Sequence, residues 1–349
     1  MIKPFFKKFR FLLAVLVGLV LFIFVLFQAL PSADQILSAQ RSDSATTAAI
    51  VKDLGLDQPM WKQGLYYLND LSPVSMYSKN GNTENLTGCA LSLGSYSLWL
   101  KFPYLRTSFQ TKQKVSSMLI EAFWGTMVLA FAAIIVSILI GIPLGVLAAK
   151  KQGTWIDNTI VWLSTIGISV PSFFSAMIFS WLFGFVLVKY THLPMTGSLW
   201  EIDAFGETKS LVFSNLILPA IALGIRPLAV FIQLTRNTMV EILGLDFIRT
   251  SRAKGLSESV VIWRHAFPNA LNPLITSIGG WFSSLLAGSF FTEYIFQWKG
   301  LGKVTIEALQ QSDLPVVMGA VLFTACVFFV IHSFTELLYV WIDPRMKNE

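Results

Sequence analysis

Charged residues are scarce in this sequence. Asp, Glu, Lys and Arg make up 13% of the 349 residues, whereas hydrophobic residues make up 54%. Soluble globular domains typically contain about 25% charged residues. The deficit argues against a soluble domain and favours a protein whose outer surface contacts lipid. The sequence also lacks a P-loop, because Gly302-Lys303 is followed by Val304, so we do not expect this chain itself to hydrolyse ATP.

Long uncharged segments are the most abundant feature. A helix needs about 20 mostly apolar residues to cross a hydrocarbon core of about 30 Å. The predicted spans are 11–30, 122–149, 158–188, 211–235, 266–292 and 314–335. Only the fourth contains a charged residue, Arg226. The sequence therefore predicts an all-α integral membrane protein with six transmembrane helices.

Basic residues are distributed unevenly between alternate loops. Segments 1–10, 150–157, 236–265 and 343–349 hold 13 Lys and Arg in 55 residues, whereas 31–121, 189–210 and 293–313 hold 12 in 134. Because cytoplasmic loops are enriched in Lys and Arg, both termini are predicted to be cytoplasmic. This bias and attraction to anionic lipid headgroups explain the net charge of +6 without a nucleic-acid partner.

The first span could be a cleavable signal peptide or a retained anchor. Its apolar run is longer than a usual signal-peptide core of about 7 to 15 residues, and segment 28–33 is a poor cleavage site, so we favour an anchor. The predicted topology places Cys89 outside the membrane and Cys326 within the last span. We therefore expect neither an intrachain disulfide nor a metal site.

The predicted organisation has four parts. Residues 1–30 form the cytoplasmic amino terminus and first span, and 31–114 form an extracytoplasmic lobe. The lobe is predicted to contain one or two short helices, at the apolar patches 50–56 and 61–68, with a loop at 77–88. Residues 115–342 form a five-helix core that includes a cytoplasmic loop at 241–268, and 343–349 form a cytoplasmic tail.

Small residues and prolines recur within the spans. Gly141 and Gly145 have the GxxxG spacing that lets a neighbouring backbone approach, and Pro143 lies between them. Segment 169–172 and the pair Pro219 and Pro227 offer similar bends. Ordinary helix packing and a specific gate are both consistent with this pattern, and we favour packing because Gly and Pro are common in membrane helices.

Arg226 is the one strong charge deep within a span. It could line an aqueous pathway and meet a substrate carboxylate, pair with Glu336 or Glu121, or extend to the interface from a position near a helix end. His332 and Glu336 are spaced i, i+4 and could form a proton relay or bind a metal. No third ligand accompanies them at suitable spacing, so structural hydrogen bonding is favoured.

The loop 241–268 is an organised polar segment between apolar spans. Its residues Asp246, Arg249, Thr250, Ser251, Arg252, Ala253, Lys254 and Gly255 are followed by Pro268, with apolar side chains at Ile242, Leu243, Leu245, Phe247 and Ile248. The pattern predicts a short amphipathic helix that ends at Gly255, where a left-handed conformation is required, and a second helix starting near Ser257. A helix that lies on lipid headgroups is the alternative explanation.

The spacing from Gly255 to Pro268 resembles the EAA loop of binding-protein-dependent ABC import permeases. Residues 246–256, Asp-Phe-Ile-Arg-Thr-Ser-Arg-Ala-Lys-Gly-Leu, are similar to the pattern D-[YF]-[IV]-R-T-A-R-A-K-G-L of B-type permeases of the peptide and nickel branch. Arg249 occupies the place of the glutamate of the general motif, as in that branch. Further similar segments are 54–59, 141–145, 263–266, 269–271, 293–296, 300–302 and 343–345, so the resemblance covers nearly the whole chain.

The resemblance implies a type I ABC importer permease that forms half of a translocation pathway for short peptides. It implies several partners: a second, C-type permease subunit, two ABC ATPase subunits that bind ATP and Mg, an extracytoplasmic substrate-binding protein, and the bilayer of the bacterial inner membrane. The loop 241–268 would dock on an ATPase. Nickel, glutathione and oligosaccharides remain alternative substrates of this importer type.

Two other classes of membrane protein are considered. A proton-coupled secondary transporter would be expected to carry paired intramembrane carboxylates, for which Glu336 alone is weak support. A membrane hydrolase would need a nucleophile and a base that face each other, which adjacent residues such as His332 and Ser333 do not.

Overall fold

The computed structural model describes residues 14–15, 17–22, 25, 58–78, 88–93, 95–202 and 209–342. The described residues between 14 and 25 are helical. Most of the predicted first span, the apolar patch at 50–56 and the tail at 343–349 lie outside the described residues. The chain divides into two compact units, one of residues 1–120 with 307–325 and one of residues 121–306 with 326–349.

The first unit contains a small α/β lobe. Helix α1 (Met60–Leu71) precedes β1 (Val74–Ser78), β2 (Gly88–Leu93) and β3 (Tyr96–Lys101). The strands form an antiparallel sheet in the order β1-β3-β2. Helix α1 confirms the predicted helix at 61–68, whereas the sheet was not predicted, and the predicted loop at 77–88 is wrong at its ends. Tyr77 and Gly88 are strand residues because they pair with β3.

A partly buried polar cluster around Asp70 holds the lobe together. Its carboxylate accepts hydrogen bonds from Arg106 Nε and the Tyr77 hydroxyl, both at 2.9 Å. The Asp70 carbonyl accepts a hydrogen bond from Lys101 Nζ, and Arg106 lies over the Tyr67 ring, 5.2 Å from its centroid. Burial lowers the pKa of the Lys101 ammonium, and the charge of Asp70 opposes that shift. Paired charges therefore replace part of the apolar core that so small a lobe cannot supply.

Helix α12 (Leu314–Ile342) begins in the first unit, directly after the buried Asp313. Asp313 accepts a hydrogen bond from the Ser108 hydroxyl and another from the Phe109 amide at 3.1 Å. A carboxylate at a helix N-terminus is also favoured by the helix dipole. Asp313 thereby fixes the segment before the second span to the start of the last one.

The second unit holds most of the membrane core. In chain order its elements are α2 (Val115–Lys150), α3 (Trp155–Ser169), α4 (Ser172–Trp181), a π-helix (Leu182–Val186), α5 (Val188–Thr191), the hairpin β4 (Trp200–Ile202) and β5 (Lys209–Leu211), α6 (Ser214–Leu243), α7 (Asp246–Ala253), α8 (Glu258–Val260), a second π-helix (Val261–Ala266), α9 (Phe267–Gly288), α10 (Phe290–Ile295) and α11 (Leu301–Gln310). The first residues of α2 and the last of α11 belong to the first unit.

The predicted third span is broken into α3 and α4. Val170 is extended, with φ −76° and ψ 129°, and Pro171 follows it. Proline lacks an amide hydrogen and disfavours the helical conformation of the preceding residue, which accounts for the end of α3 at this position. The segments Trp155–Ser169 and Ser172–Val186 meet at an angle of 106°.

Three helices of the described residues are long and apolar enough to cross a membrane: α2, α6 and the Leu314–Thr335 part of α12. The bent pair formed by α3 and α4 makes a fourth candidate if it counts as one span. Helix α9 covers most of the predicted fifth span, but its mean hydropathy is too low for it to be counted with these helices. The count of six spans stays a prediction.

Helices α2 and α6 pack closely through the predicted glycine pair. A methyl group at Gly141 would lie 2.9 Å from the Leu228 carbonyl oxygen, and one at Gly145 would lie 2.7 Å from the Ile232 carbonyl oxygen. Leu129, Ala133, Leu223 and Phe231 contribute to the buried core of this unit. The glycine spacing therefore serves helix packing, as the sequence indicated.

We expect Gly145→Ala to destabilise the protein. Alanine normally stabilises a helix relative to glycine by about 1 kcal/mol, but the added methyl would also lie 2.6 Å from Thr235 Cβ, and such overpacking costs about 1–3 kcal/mol. Thermal unfolding in detergent should show a lower Tm than wild type. Gly18→Ala is the control, because its methyl group meets nothing within 4 Å; an unchanged or raised Tm for Gly145→Ala would contradict this packing.

Candidate functional site

Helix α7 contains most of the residues that the sequence indicated for docking on an ATPase. Asp246, Arg249, Thr250, Arg252 and Ala253 are exposed, and so are Lys254 and Gly255 just after the helix. Ser251 is buried, and its hydroxyl donates a hydrogen bond of 2.8 Å to the Phe247 carbonyl. Asp246 in the first turn and Arg252 in the last turn both complement the helix dipole. The helix is therefore a short, charged ridge on the surface of the chain.

Gly255 ends α7 in the left-handed conformation predicted from the sequence. Its φ is +79°, and nothing lies within 4 Å of where a Cβ would be. The amide groups of Lys254 and Gly255 donate hydrogen bonds to the carbonyls of Thr250 and Arg252, at 3.1 and 2.9 Å. These bonds satisfy the carbonyls of the last helical turn while the chain reverses direction.

Ile248 anchors α7 in a hydrophobic cluster, which we call the anchor cluster. Its fully or mostly buried members are Val146, Ala149, Met239, Ile242, Ile248, Val261, Ile262, Ala266 and Ala270. They come from α2, α6, α7, the second π-helix and α9. Because protein interiors are close-packed, a displacement of α7 must move the ends of these helices with it.

The apolar side chains of the loop divide into two sets. Ile242 and Ile248 are buried in the anchor cluster, whereas Leu245 and Phe247 are 46% and 43% exposed. Leu256 is also exposed, at 38%. The exposed set flanks the basic residues of α7, so the ridge offers both apolar area and positive charge to another molecule.

Two ion pairs shape the ridge without contributing much stability. Arg252 Nε lies 2.7 Å from Glu258 Oε1 across the Gly255 turn, and Arg249 Nη1 lies 3.3 Å from Asp246 Oδ1. The side chains of both pairs are largely solvated, and such pairs contribute about 0–1 kcal/mol. Their effect is to orient the guanidinium groups.

Pro268 lies at the start of α9, directly after the second π-helix. An α-helix interior disfavours proline because the ring clashes with the preceding turn and an amide hydrogen is missing. The wider π turn precedes it, and π segments are frequent at functional sites. The second helix, predicted to start near Ser257, begins at Glu258 with Ser257 as its N-cap and continues through the π-helix into α9.

A buried ion pair ties α3 to α6 near this site. Asp157 has a side-chain exposure of 1% and accepts two hydrogen bonds from Arg236, at 2.6 Å from Nε and 2.7 Å from Nη2. The Gly153 amide donates a third, at 2.9 Å. Sequence reasoning missed this pair, because its two residues are 79 positions apart and no motif joins them.

Arg226 is exposed on α6, and we find no hydrogen bond or ion pair for it among the described residues. Pairing with Glu121, one of the alternatives that the sequence left open, is not observed, and the side chain of Glu336 lies outside the described part of the chain. His332 stacks on Phe328, with ring centroids 5.8 Å apart. No proton relay through His332 and Glu336 can therefore be built from the described side chains.

Glu293, in the family-like segment 293–296, is a second residue whose role the sequence did not indicate. Its side chain is fully buried, and it accepts hydrogen bonds from the Ser289 hydroxyl at 2.6 Å and the Gly302 amide at 2.7 Å. Burial raises the pKa of its carboxyl group, and hydrogen bonds from Ser289, Thr126 and the Gly302 backbone oppose the rise. The carboxylate thereby joins α10 to the start of α11.

Family models match both parts of the chain. Residues 141–348 match the family described as "Binding-protein-dependent transport system inner membrane component", and residues 1–130 match its N-terminal counterpart, "Binding-prot-dependent transport system membrane comp, N-term". The chain belongs to this family of importer permeases. The permease is 34% identical to the dipeptide transport system permease protein DppB of Escherichia coli K12, over 95% of both chains. It is 31% identical to the di/tripeptide permease DppB of Pseudomonas aeruginosa UCBPP-PA14, over 98% of both.

The permease also resembles a solved importer in fold. It matches a chain of the inward-facing methionine ABC transporter MetNI with a TM-score of 0.51, covering 65% of this chain and 97% of that one, at 18% identity. This is the type I ABC importer permease fold predicted from the sequence. Together with the apolar helices, the family establishes a multi-pass membrane protein that is a transport component and not an enzyme.

Proposed function

We propose that this permease forms one half of the translocation pathway of an importer for short peptides. The proposal is carried by the structure of α7, which is an exposed, basic helix. It ends at Gly255, whose φ is +79°, and the fully buried Ile248 anchors it to the rest of the chain. The relatives named for dipeptides and tripeptides favour peptides over nickel, glutathione or oligosaccharides. The proposed location is the bacterial cytoplasmic membrane, with both termini and the loop 241–268 in the cytoplasm.

In this proposal α7 docks on an ATPase subunit. Its exposed face comprises Asp246, Arg249, Thr250, Arg252, Ala253 and Lys254, and Ser251 is on the buried side. Gly255 forms the turn after α7, and Pro268 lies where the chain enters α9. ATP and Mg bind to two partner ATPases, a C-type permease supplies the other half of the pathway, and an extracytoplasmic binding protein delivers the peptide. Arg226 lines the pathway.

The mechanism follows from how α7 is attached. ATP-driven closure of the two ATPases displaces α7, and the anchor cluster passes that displacement to α2, α6 and α9. Because the ATPases contact the two arrangements of the permease differently, ATP binding shifts the equilibrium between inward-open and outward-open states.

Reconstitution tests this function. We expect the chain alone in proteoliposomes to hydrolyse no ATP and accumulate no peptide. With a C-type permease, the two ATPases and the binding protein, dipeptide should stimulate ATP hydrolysis and enter the vesicles. Uptake by the chain alone, driven by a proton gradient, would instead identify a secondary transporter and contradict the proposal.

A further inference from the structure

The exposed faces of the membrane helices fall into two chemical classes. The exposed residues of α2 include Phe131, Ile135, Leu139 and Leu147, and those of α4 include Phe173 and Trp181. Such side chains suit contact with lipid tails. Helix α9 is different, because every exposed residue in it is polar, glycine or proline: Pro268, Asn269, Asn272, Thr276, Gly280, Ser284 and Gly288.

These exposed residues of α9 form one stripe. Asn272, Thr276, Gly280 and Ser284 are spaced four apart, which places successive residues about 40° apart on an α-helix. The opposite side of α9 carries the buried Leu274, Leu285 and Leu286. Lipid tails offer no hydrogen-bond partners to a stripe of amide, hydroxyl and backbone groups. This side of α9 must therefore contact water or protein.

Helix α6, which packs on α9, exposes polar groups as well. Its exposed residues are Ile217, Arg226, Asn237 and Glu241. At 100° per residue, Asn237 lies about 20° from Arg226, and Thr235, which contacts Gly145 of α2, lies about 180° away. Arg226 therefore points away from α2 and lies on the same side of α6 as Asn237.

Arg226 is too deep for its charge to remain uncompensated. It is the thirteenth residue of the 30-residue helix α6, so it lies about 18 Å along the axis from one end and about 26 Å from the other. A charge near the centre of a bilayer is strongly disfavoured unless it meets water or a counter-charge. None of the described side chains supplies that counter-charge.

We infer that Arg226 binds the C-terminal carboxylate of the transported peptide, in an aqueous pathway walled by the exposed faces of α6 and α9. A guanidinium group matches a carboxylate with two parallel hydrogen bonds. The uncharged amides and hydroxyls of α9 suit the peptide bond, which must be hydrogen-bonded throughout its passage. Gln233, within about 20° of Arg226, extends the polar wall to α3 by donating hydrogen bonds to Ser164 and Thr165 at 3.1 and 3.3 Å.

This inference rests on the proposed function, and a charge-replacement experiment in the complete importer tests it. In a background with Cys89→Ser and Cys326→Ser, we expect Arg226→Cys to reduce uptake of radiolabelled dialanine at least about tenfold, since a hydrogen-bonded charge contact contributes about 1.5–3 kcal/mol. Aminoethyl methanethiosulfonate, which attaches an ammonium group, should restore part of the uptake. Methyl methanethiosulfonate, which attaches a neutral methylthio group, should restore none.

Each other result overturns the inference. Normal uptake by unmodified Arg226→Cys would show that the charge is not used, and equal rescue by both reagents would show that only side-chain volume matters. Absence of any modification of the thiol introduced by Arg226→Cys would show that the position is not in water. If Gly255→Pro abolishes uptake while Arg226→Cys transports dialanine normally, the proposed function holds and only this inference fails.

Accessibility of α9 provides an independent measurement. In the same importer, whose permease chain has no native cysteine, a membrane-impermeant maleimide should label Thr276→Cys and Ser284→Cys of this chain on the polar stripe. It should not label Ile135→Cys or Leu139→Cys, the matched controls on the apolar face of α2. Protection of both α9 positions would make that face a protein–protein contact and would contradict an aqueous wall.

Discussion

Gly255→Pro is expected to reduce peptide uptake to the background of cells that lack the importer, while the permease remains in the membrane. Proline fixes φ near −65°, whereas Gly255 has φ +79°. The substitution also removes the amide that donates to the Arg252 carbonyl. The turn that ends α7 therefore cannot form. Because no atom lies within 4 Å of the Gly255 Cβ position, the core is not disturbed, and membrane fractionation should show normal amounts.

Two further substitutions at Gly255 separate backbone conformation from side-chain size. Asparagine tolerates the left-handed region better than other residues, so Gly255→Asn should retain most uptake. Alanine in the left-handed conformation costs about 1–2 kcal/mol. Peptide uptake by Gly255→Ala should therefore lie between the uptake by Gly255→Asn and that by Gly255→Pro. Wild-type uptake by Gly255→Pro would refute the assignment of α7 as the ATPase-coupling helix.

The ridge was predictable because its signals are local. Asp246 and Arg252 mark the two ends of α7, and Gly255 follows within one turn, so all the relevant residues lie within ten positions. The sequence could not separate Ile248, which is buried, from Phe247, which is exposed. That distinction depends on which face of α7 meets the ends of α2 and α6.

Longer-range features were not predictable from the pattern. Asp157 and Arg236 are 79 positions apart, and no motif joins them. The stretch at 77–88 is rich in Asn, Ser and Gly, a composition typical of a loop, and the short strands that include its two ends alternate apolar and polar residues only weakly. The length and lack of charge of 266–292 indicated a lipid-facing span, but the polar residues of α9 share one exposed stripe that only helical geometry reveals.

Asp157→Asn is expected to destabilise the permease by about 3–5 kcal/mol, because it leaves the Arg236 guanidinium without its counter-charge in a largely buried site. The same loss is expected for Arg236→Gln, which leaves Asp157, only 1% exposed, as an unpaired carboxylate. Thermal unfolding of the importer in detergent should show a lower Tm for both variants. The matched control is Glu258→Gln, which removes the exposed pair with Arg252 and should cost no more than about 1 kcal/mol.

Replacing both partners distinguishes a stabilising pair from a positioning one. Burying two charges costs nearly as much as their attraction returns, so Asp157→Leu with Arg236→Leu should recover most of the stability lost by either single variant. The coupling between ATP hydrolysis and peptide import is expected not to recover. Only the charged pair fixes the Lys151–Thr154 turn to α6, because the Gly153 amide donates a hydrogen bond to Asp157. The double variant should therefore unfold near the wild-type temperature yet hydrolyse more ATP per dipeptide imported. Wild-type stoichiometry in that variant would limit the pair to a structural role.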